Sequence, residues 1–395
     1  MQYRVDTKSG NKLSILGFGC MRFPRNFTQI DINKTEQMLV HAVRSGINYF
    51  DTAYVYGGSE NVLGTILVKN NLREKIFLAT KLPHAKCNNY DDFESLFLEQ
   101  LERLHTNYID YYLVHNLCDA KSWKKLCELG IEKWIKEKKE KGQVKNIGFS
   151  FHGMYDDFLN LLDIYNWDFC QIQYNYLNVN YQAGMDGLKK AAAKGLAVII
   201  MEPLLGGKLA NGLPKKALDI FKKVNSILSP AAWALRWLWN QKDVTVVLSG
   251  MSDFSQLEEN IVTAKDAVPD MLTAEEKETY ESVLKLISAV HKIPCTGCNY
   301  CLPCPNNVNI PGCFAAFNVS YLTGMVSGLQ QYATSTGSGF GTEKKHAASK
   351  CRECGACEKK CPQHIQIMKS LKKTKKRMEA FWVDPAIKIF MMLSR

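Results

Sequence analysis

Between residues 14 and 264, short apolar and β-branched runs alternate with longer stretches in which apolar residues recur at three- and four-residue intervals. The first kind of segment predicts buried strands and the second amphipathic helices. Strands are expected at 16–20, 47–52, 76–81, 109–115, 144–150, 169–174, 197–201 and 245–248. Helices are expected between them, among others at 31–45, 90–104, 130–141 and 229–240. Asp31 stands where an N-cap is wanted, and Ser229 before Pro230 offers a cap followed by a first-turn proline.

Eight such βα units in about 250 residues predict an α/β fold, a (β/α)8 TIM barrel. An open doubly wound sheet is the structural alternative, and no G-x-G-x-x-G turn follows any early strand to support it. A helix over 274–291 then leads the chain off the barrel into a second, small, α-helical region. The expected domains are a barrel at 1–273, a cysteine-rich domain at 274–372 and a basic and apolar tail at 373–395. The tail's apolar residues are expected to pack on the barrel or a partner subunit, with a membrane-surface anchor as the alternative.

Composition narrows the class. A hydrophobic content of 46% over 395 residues excludes intrinsic disorder. No run of eighteen apolar residues occurs, so no transmembrane segment is expected, and the start MQYRVDTKSG lacks a signal-peptide pattern. Those features predict a cytoplasmic protein. The net charge of +11 is too diffuse for a nucleic-acid-binding expectation. The run Lys372, Lys373, Lys375, Lys376 and Arg377 reads as a solvated helix face, or as a surface that offsets cluster charge or docks an acidic electron carrier.

Fourteen cysteines divide into two populations. Cys20, Cys87, Cys118, Cys127 and Cys170 are scattered among apolar residues and carry no assigned role. The other nine lie between Cys295 and Cys361. Cys351, Cys354, Cys357 and Cys361, before Pro362, have the C-x2-C-x2-C-x3-C-P spacing of bacterial ferredoxins, in which three thiolates wrap one iron–sulfur cube and the fourth reaches the other. Cys295, Cys298, Cys301 and Cys304, before Pro305, form a similar run whose last gap is one residue shorter. Two [4Fe-4S] clusters follow, with Cys295, Cys298, Cys301 and Cys361 on one and Cys351, Cys354, Cys357 and Cys304 on the other. Cys313 is the alternative to Cys304. Zinc on four thiolates is the rival, but zinc usually joins two separate C-x2-C pairs.

Four polar residues fall at strand C-terminal ends, where barrel enzymes keep their chemistry. Asp51 and Tyr56 follow the second strand, Lys81 ends the third and His115 ends the fourth. A carbonyl that receives hydride needs a proton, which an ordinary tyrosine yields poorly at neutral pH. An ammonium beside the phenol lowers its pKa, and a carboxylate keeps that ammonium charged and in place. Tyr56 is thus the expected acid, Lys81 its tuner, Asp51 the partner of Lys81, and His115 the donor that polarises the carbonyl.

With these residues, the segments NYFDTAYVYGGSENVLGTIL, FLATKL and YYLVHN resemble the aldo-keto reductase family, one branch of which carries a C-terminal ferredoxin-like extension. The resemblance implies an oxidoreductase acting on an aldehyde or ketone, or on the alcohol, with NADP(H) or NAD(H). It places Ser150 and Gln171 at the nicotinamide carboxamide, with Phe151 where the family usually has Asn, and Met201 where the family stacks an aromatic ring. Ser249, Gly250, Met251, Ser252, Gln256, Glu259 and Asn260 fall at the adenine and ribose phosphate. Gln256 replaces the family's Arg for the 2′-phosphate, which puts an NADP(H) preference in doubt.

Because a cubane moves one electron and a nicotinamide two, three readings stay open. The barrel is a carbonyl reductase with structural clusters; or a flavin near Gly206 and Gly207 links it to ferredoxin or another electron carrier; or the chain is a redox-responsive nucleotide-binding interaction module.

Overall fold

The computed structural model of the chain describes residues 1–290, 292–295, 297, 299–322, 324–337, 346–361 and 364–380. Cys298 and the apolar tail beyond residue 380 lie outside the described residues. The chain divides into two compact units. One comprises Met1–Tyr176, Gln182–Gly206 and Ala231–Leu272, and the other Leu177–Tyr181, Gly207–Pro230 and the described residues from Thr273 onward.

The first unit is a closed barrel of eight parallel strands, each hydrogen-bonded to the next in chain order and the last to the first. They are β1 (Leu16–Gly19), β2 (Tyr49–Asp51), β3 (Phe77–Leu82), β4 (Ile109–Val114), β5 (Val144–Phe151), β6 (Phe169–Gln173), β7 (Ala197–Met201) and β8 (Val246–Ser249). Every one lies within two residues of its predicted bounds. All six residues of β4 are buried, as expected where a parallel strand is covered on both faces. The helices Ile32–Arg44 and Tyr90–Arg103 begin at side-chain caps, Asp31 accepting from the Lys34 N–H and Asn89 forming a capping box with Asp92.

Side-chain alternation fills the barrel. Tyr49, Ala79, Tyr111, Leu113, Phe169, Ile199, Val246 and Leu248 form one buried cluster. Leu13 joins it from a short antiparallel hairpin, Tyr3–Val5 with Lys12–Ser14. That hairpin escapes the sequence analysis, since three-residue strands have too few positions to show an alternating pattern.

The second unit is helical in its cysteine-rich part, with helices Ala274–Val290, Ile310–Leu322, Met325–Thr336 and Ile367–Met378. Its core gathers Ile293, Val308, Phe314, Leu329, Tyr332 and Leu371, against which Cys295, Cys301, Cys304, Cys351 and Cys361 pack. Among the described residues, no helix is long and apolar enough to cross a membrane.

One close approach in the barrel yields a test of opposed effects. Gly64, inside the helix Ser59–Lys69, faces the end of Tyr90–Arg103 so closely that an added Cβ would sit 2.5 Å from the Arg103 carbonyl and 2.6 Å from Leu104 backbone atoms. Helix propensity alone favours Gly64→Ala by up to about 1 kcal/mol. Rigid backbone cannot yield as a side chain can, so Gly64→Ala is expected to destabilise the barrel by about 1–3 kcal/mol. A lower urea midpoint for the variant checks this.

Candidate active site and cluster-binding cysteines

Strand register delivers the polar residues to one end of the barrel. Asp51 is in register with Ala79 and Lys81 with Leu113, so Asp51 and Lys81 occupy the same inward-facing set one step apart. The Lys81 ammonium donates to both Asp51 carboxylate oxygens, at 2.7 and 2.8 Å, and to the Thr52 carbonyl at 2.6 Å. The side chains are only 1% and 4% exposed, so neither charge has water as an alternative partner. Behind β3, Gln100 Nε2 donates to the Lys81 carbonyl at 3.1 Å and to the buried Glu60 carboxylate at 2.7 Å, which fixes the strand carrying the lysine.

Tyr56 lies in the loop after β2, half-buried, with the Lys81 Nζ 5.0 Å from its ring centroid, close enough for the two groups to interact electrostatically. The His115 ring meets the Tyr56 ring edge-on, with centroids 6.0 Å apart. Burial would neutralise Lys81, but the Asp51 carboxylate and the Tyr56 phenol hold its pKa above the ordinary value. Burial raises Asp51, partly offset by Lys81 and by a hydrogen bond from Gln171. For Tyr56 the expected acidification is outweighed: burial raises the phenol's pKa, and the ammonium opposes that shift without reversing it. Desolvation depends on how neighbouring loops cover the ring, which the tetrad's spacing does not encode. His115 is driven well below its usual value by burial first and then by Lys81, His152 and His84, so its imidazole is neutral.

The remaining predicted positions separate into groups. Ser150 Oγ accepts the Asn116 N–H at 2.8 Å, leaving its own proton to donate. Gln171 engages Asp51, and its Oε1 is buried without a partner. Met201 packs against the barrel cluster, and Phe151 is fully buried among Phe149 and Phe158. After β8, Asn260 Nδ2 donates to Ser249 Oγ at 3.0 Å, and Gln256 Oε1 accepts the Ser252 N–H at 3.0 Å. Met251 is buried, whereas Glu259 is half-buried on the helix Phe254–Lys265.

Three residues near these positions were not singled out by the sequence. Gln173, two residues beyond Gln171 and 1% exposed, has both amide atoms unpartnered; its signal was the i, i+2 repeat of glutamine along β6. Arg22 lays its stem across Gly250 and brings Nη2 to Gly206, where Cβ atoms added to those glycines would lie 3.0 and 3.1 Å from it. A basic residue just past β1 was that signal. Cys20 is buried close to Asp51 and Lys81, and burial raises its pKa well above normal, so it stays a thiol.

The two cysteine runs share a backbone design. In the first, Gly297 and Asn299 are left-handed, with φ of 71° and 63°; in the second, Glu353 and Gly355 occupy the same two places, with φ of 56° and 75°. In the second run the Glu353 N–H donates to Cys351 Sγ at 3.4 Å. The likeness continues past the fourth cysteines, where CPNNVNI matches CPQHIQI. Asn307 and His364 are both left-handed and their N–H groups bond back to the carbonyls of Cys304 and Cys361, at 2.9 and 3.1 Å. Each repeat then enters a helix at Ile310 or Ile367. Cys357 lies near enough to both Cys304 and Cys351 for their charges to interact. Cys313, in contrast, is fully buried on the helix Ile310–Leu322, its thiol directed to the His346 carbonyl, and burial drives its pKa far up. Among the described residues, no three His, Cys, Asp or Glu side chains converge as a single metal ion requires.

The neutral His115 has a consequence for acid stability. Its folded-state value lies below the ordinary value of about 6.5, so the unfolded chain takes up the proton first as pH falls. The stability this group confers is present above that pH and is lost below it. His115→Gln should therefore lose less stability than the parent between pH of about 7 and about 5. Urea midpoints at the two pH values check this, and identical losses would contradict it.

The aldo/keto reductase family model matches residues 15–281, and the 4Fe-4S dicluster domain model matches residues 294–367. L-galactose dehydrogenase of Arabidopsis thaliana is 26% identical over 309 residues, covering 72% of this chain and 95% of the relative. Protein tas of Escherichia coli is 25% identical over 356 residues, covering 74% and 98%. The holo form of aldo-keto reductase AKR11C1 from Bacillus halodurans shares the fold at a TM-score of 0.59 and 24% identity, covering 72% of this chain and 96% of its own. With a family model spanning well over half its length, this chain belongs to the aldo/keto reductase family, as an oxidoreductase whose C-terminal part is a 4Fe-4S dicluster domain.

Proposed function

We propose that the protein interconverts a small aldehyde or ketone and its alcohol with a nicotinamide cofactor, Tyr56 serving as the proton donor. The observation that carries this reading is the Lys81 ammonium, held by Asp51 and the Thr52 carbonyl and lying 5.0 Å from the Tyr56 ring centroid, with the neutral His115 alongside. A raised phenol pKa suits the task. It keeps the proton on Tyr56 at neutral pH, and the alkoxide formed from a carbonyl is a stronger base than phenolate, so transfer runs downhill. Lys81 then stabilises the phenolate, Asp51 keeps Lys81 charged, and the His115 N–H bonds the carbonyl oxygen.

The residues present fit a nicotinamide. Gln171 Oε1 and both Gln173 amide atoms are buried and unpartnered, a costly state that a carboxamide relieves by supplying donors and an acceptor. Ser150, whose oxygen already accepts from Asn116, has a proton for the carboxamide oxygen. When bound, the cofactor supplies the hydride. Arg22 offers a cation toward the loops after β7 and β8 for its phosphates, while Gln256 is occupied at the Ser252 N–H and brings no guanidinium to a 2′-phosphate. This favours tolerance of NAD(H).

In the second unit, Cys351, Cys354 and Cys357 with Cys304 would hold one cube, and Cys295, Cys298 and Cys301 with Cys361 the other. The shared turn after Cys304 and Cys361, with Cys313 withdrawn into the core, supports Cys304 over Cys313. Such clusters supply one-electron storage.

Two outcomes test these assignments. Tyr56→Phe should lower kcat for carbonyl reduction by about 100- to 10,000-fold with nicotinamide affinity nearly unchanged, read by steady-state kinetics and fluorescence titration; turnover within a factor of about two of the parent would remove Tyr56 as the acid. Anaerobically purified Cys304→Ser should fall from about eight iron atoms per chain toward about four, whereas Cys313→Ser should keep about eight. Iron and sulfide analysis reads both, and the reverse pattern would exchange the two residues' roles.

A further inference from the structure

The two halves of the cysteine-rich region differ sharply in charge. Residues 293–342, which contain the first run, include no Asp, Glu, Lys or Arg. Residues 350–378, which contain the second, include ten Lys and Arg against two Glu. Both glutamates are occupied, since Glu353 pairs with Lys372 at 2.7 Å and Glu358 accepts the Met368 N–H at 2.9 Å. Lys350, Arg352, Lys359 and Lys360 are exposed and make no ion pair among the described residues. The helix Ile367–Met378 buries Ile367, Leu371, Thr374 and Met378, so its lysines are exposed, and Lys372 reaches Glu353 next to Cys354. Between Arg352 and Lys359 in the chain, Cys354 is exposed, whereas Cys357 is buried.

We propose that the face of the second cysteine run around Cys354 is a docking port for a small acidic one-electron carrier of the ferredoxin type. This rests on the reading that Cys351, Cys354 and Cys357 hold a cluster. A sulfur ligand at the surface gives a short path for an electron, and a one-signed collar around it attracts and orients a carrier of the opposite sign. The transfer moves one electron between the cluster of the carrier and the cluster of this chain, in either direction, with no atom or proton exchanged. The uncharged first run offers no such attraction, which assigns the port to one cluster of the pair.

The experiment uses the full chain with its clusters loaded, under anaerobic conditions. A reduced, acidic [2Fe-2S] ferredoxin, whose spectrum differs from that of cubanes, is mixed with the oxidised protein in a stopped-flow instrument, and its reoxidation is followed. The parent rate constant should drop steeply as ionic strength rises. Lys359→Glu with Lys360→Glu, and separately Lys350→Glu with Arg352→Glu, should each slow it by at least about tenfold at low salt. Lys121→Glu with Lys124→Glu, on the exposed face of the barrel helix Ala120–Glu128, should leave it unchanged. Unaltered rates in the first two variants, with iron and sulfide at parent levels, overturn the port while leaving the cluster reading intact. A parent protein without iron and sulfide overturns both. If the same variants instead lose binding to phosphatidylserine vesicles while ferredoxin rates stay equal, the face belongs to a membrane surface and the proposal fails.

Discussion

A buried ammonium is the constraint on which the barrel mouth depends. Taking an unpaired lysine out of water costs several kcal/mol, and removing one partner of a buried ion pair typically costs about 3–5 kcal/mol. Lys81 is tolerated because three oxygens converge on it, two from Asp51 and one from the Thr52 carbonyl. Their convergence follows from parallel register, which puts residue 51 of one strand beside residue 79 of the next and lets the alternation bring residue 81 inward above it. The position of this ion pair is thus stored in the pairing of two strands. The Glu60, Thr80 and Gln100 hydrogen bonds behind β3 hold that strand from its outer side.

From this pair the other features of the mouth follow. A fixed positive charge beside two rings decides their protonation in opposite ways: it helps to keep His115 neutral, and it moderates the rise that burial imposes on Tyr56. Each ring is then a hydrogen-bond donor at neutral pH, one through N–H and one through O–H. Gln171 ties the pair to β6 by bonding Asp51, and that commitment leaves its oxygen as the free end of the amide.

Most of the barrel was legible because its signals are periodic. Eight runs of apolar residues give eight strands, and Asp31 is read as a cap from sequence and acts as one. The placement of Asp51, Lys81 and His115 at one end of the barrel was legible because strand ends are easy to locate in the sequence. Other parts leave no periodic trace. The hairpin around Leu13 is too short, the reach of Arg22 to Gly206 joins residues 184 positions apart, and the net direction of the Tyr56 shift depends on coverage. The same limit explains Ser249, Gln256 and Asn260, which can be located after β8 from the sequence although their hydrogen bonds to one another and to Ser252 cannot.

The cysteine-rich region shows a different kind of legibility. Spacing and the proline after each fourth cysteine pair Cys304 with Cys361 in the sequence, and the backbone extends that likeness, since left-handed residues fall at matching places with different side chains: Gly297 against Glu353, Asn299 against Gly355, Asn307 against His364. Left-handed glutamate is unfavourable by roughly 1 kcal/mol or more relative to glycine, so Glu353 holding the conformation that Gly297 takes in the first run argues that the turn is imposed by the surrounding structure. Where backbone geometry repeats and charge does not, the two halves share one binding design while facing different surroundings. The uncharged half can be enclosed without desolvating ions, whereas the half carrying Lys350, Arg352, Lys359 and Lys360 is stable only with those groups in water. The charge pattern therefore distinguishes the surroundings of the two cysteine runs although their backbone turns match.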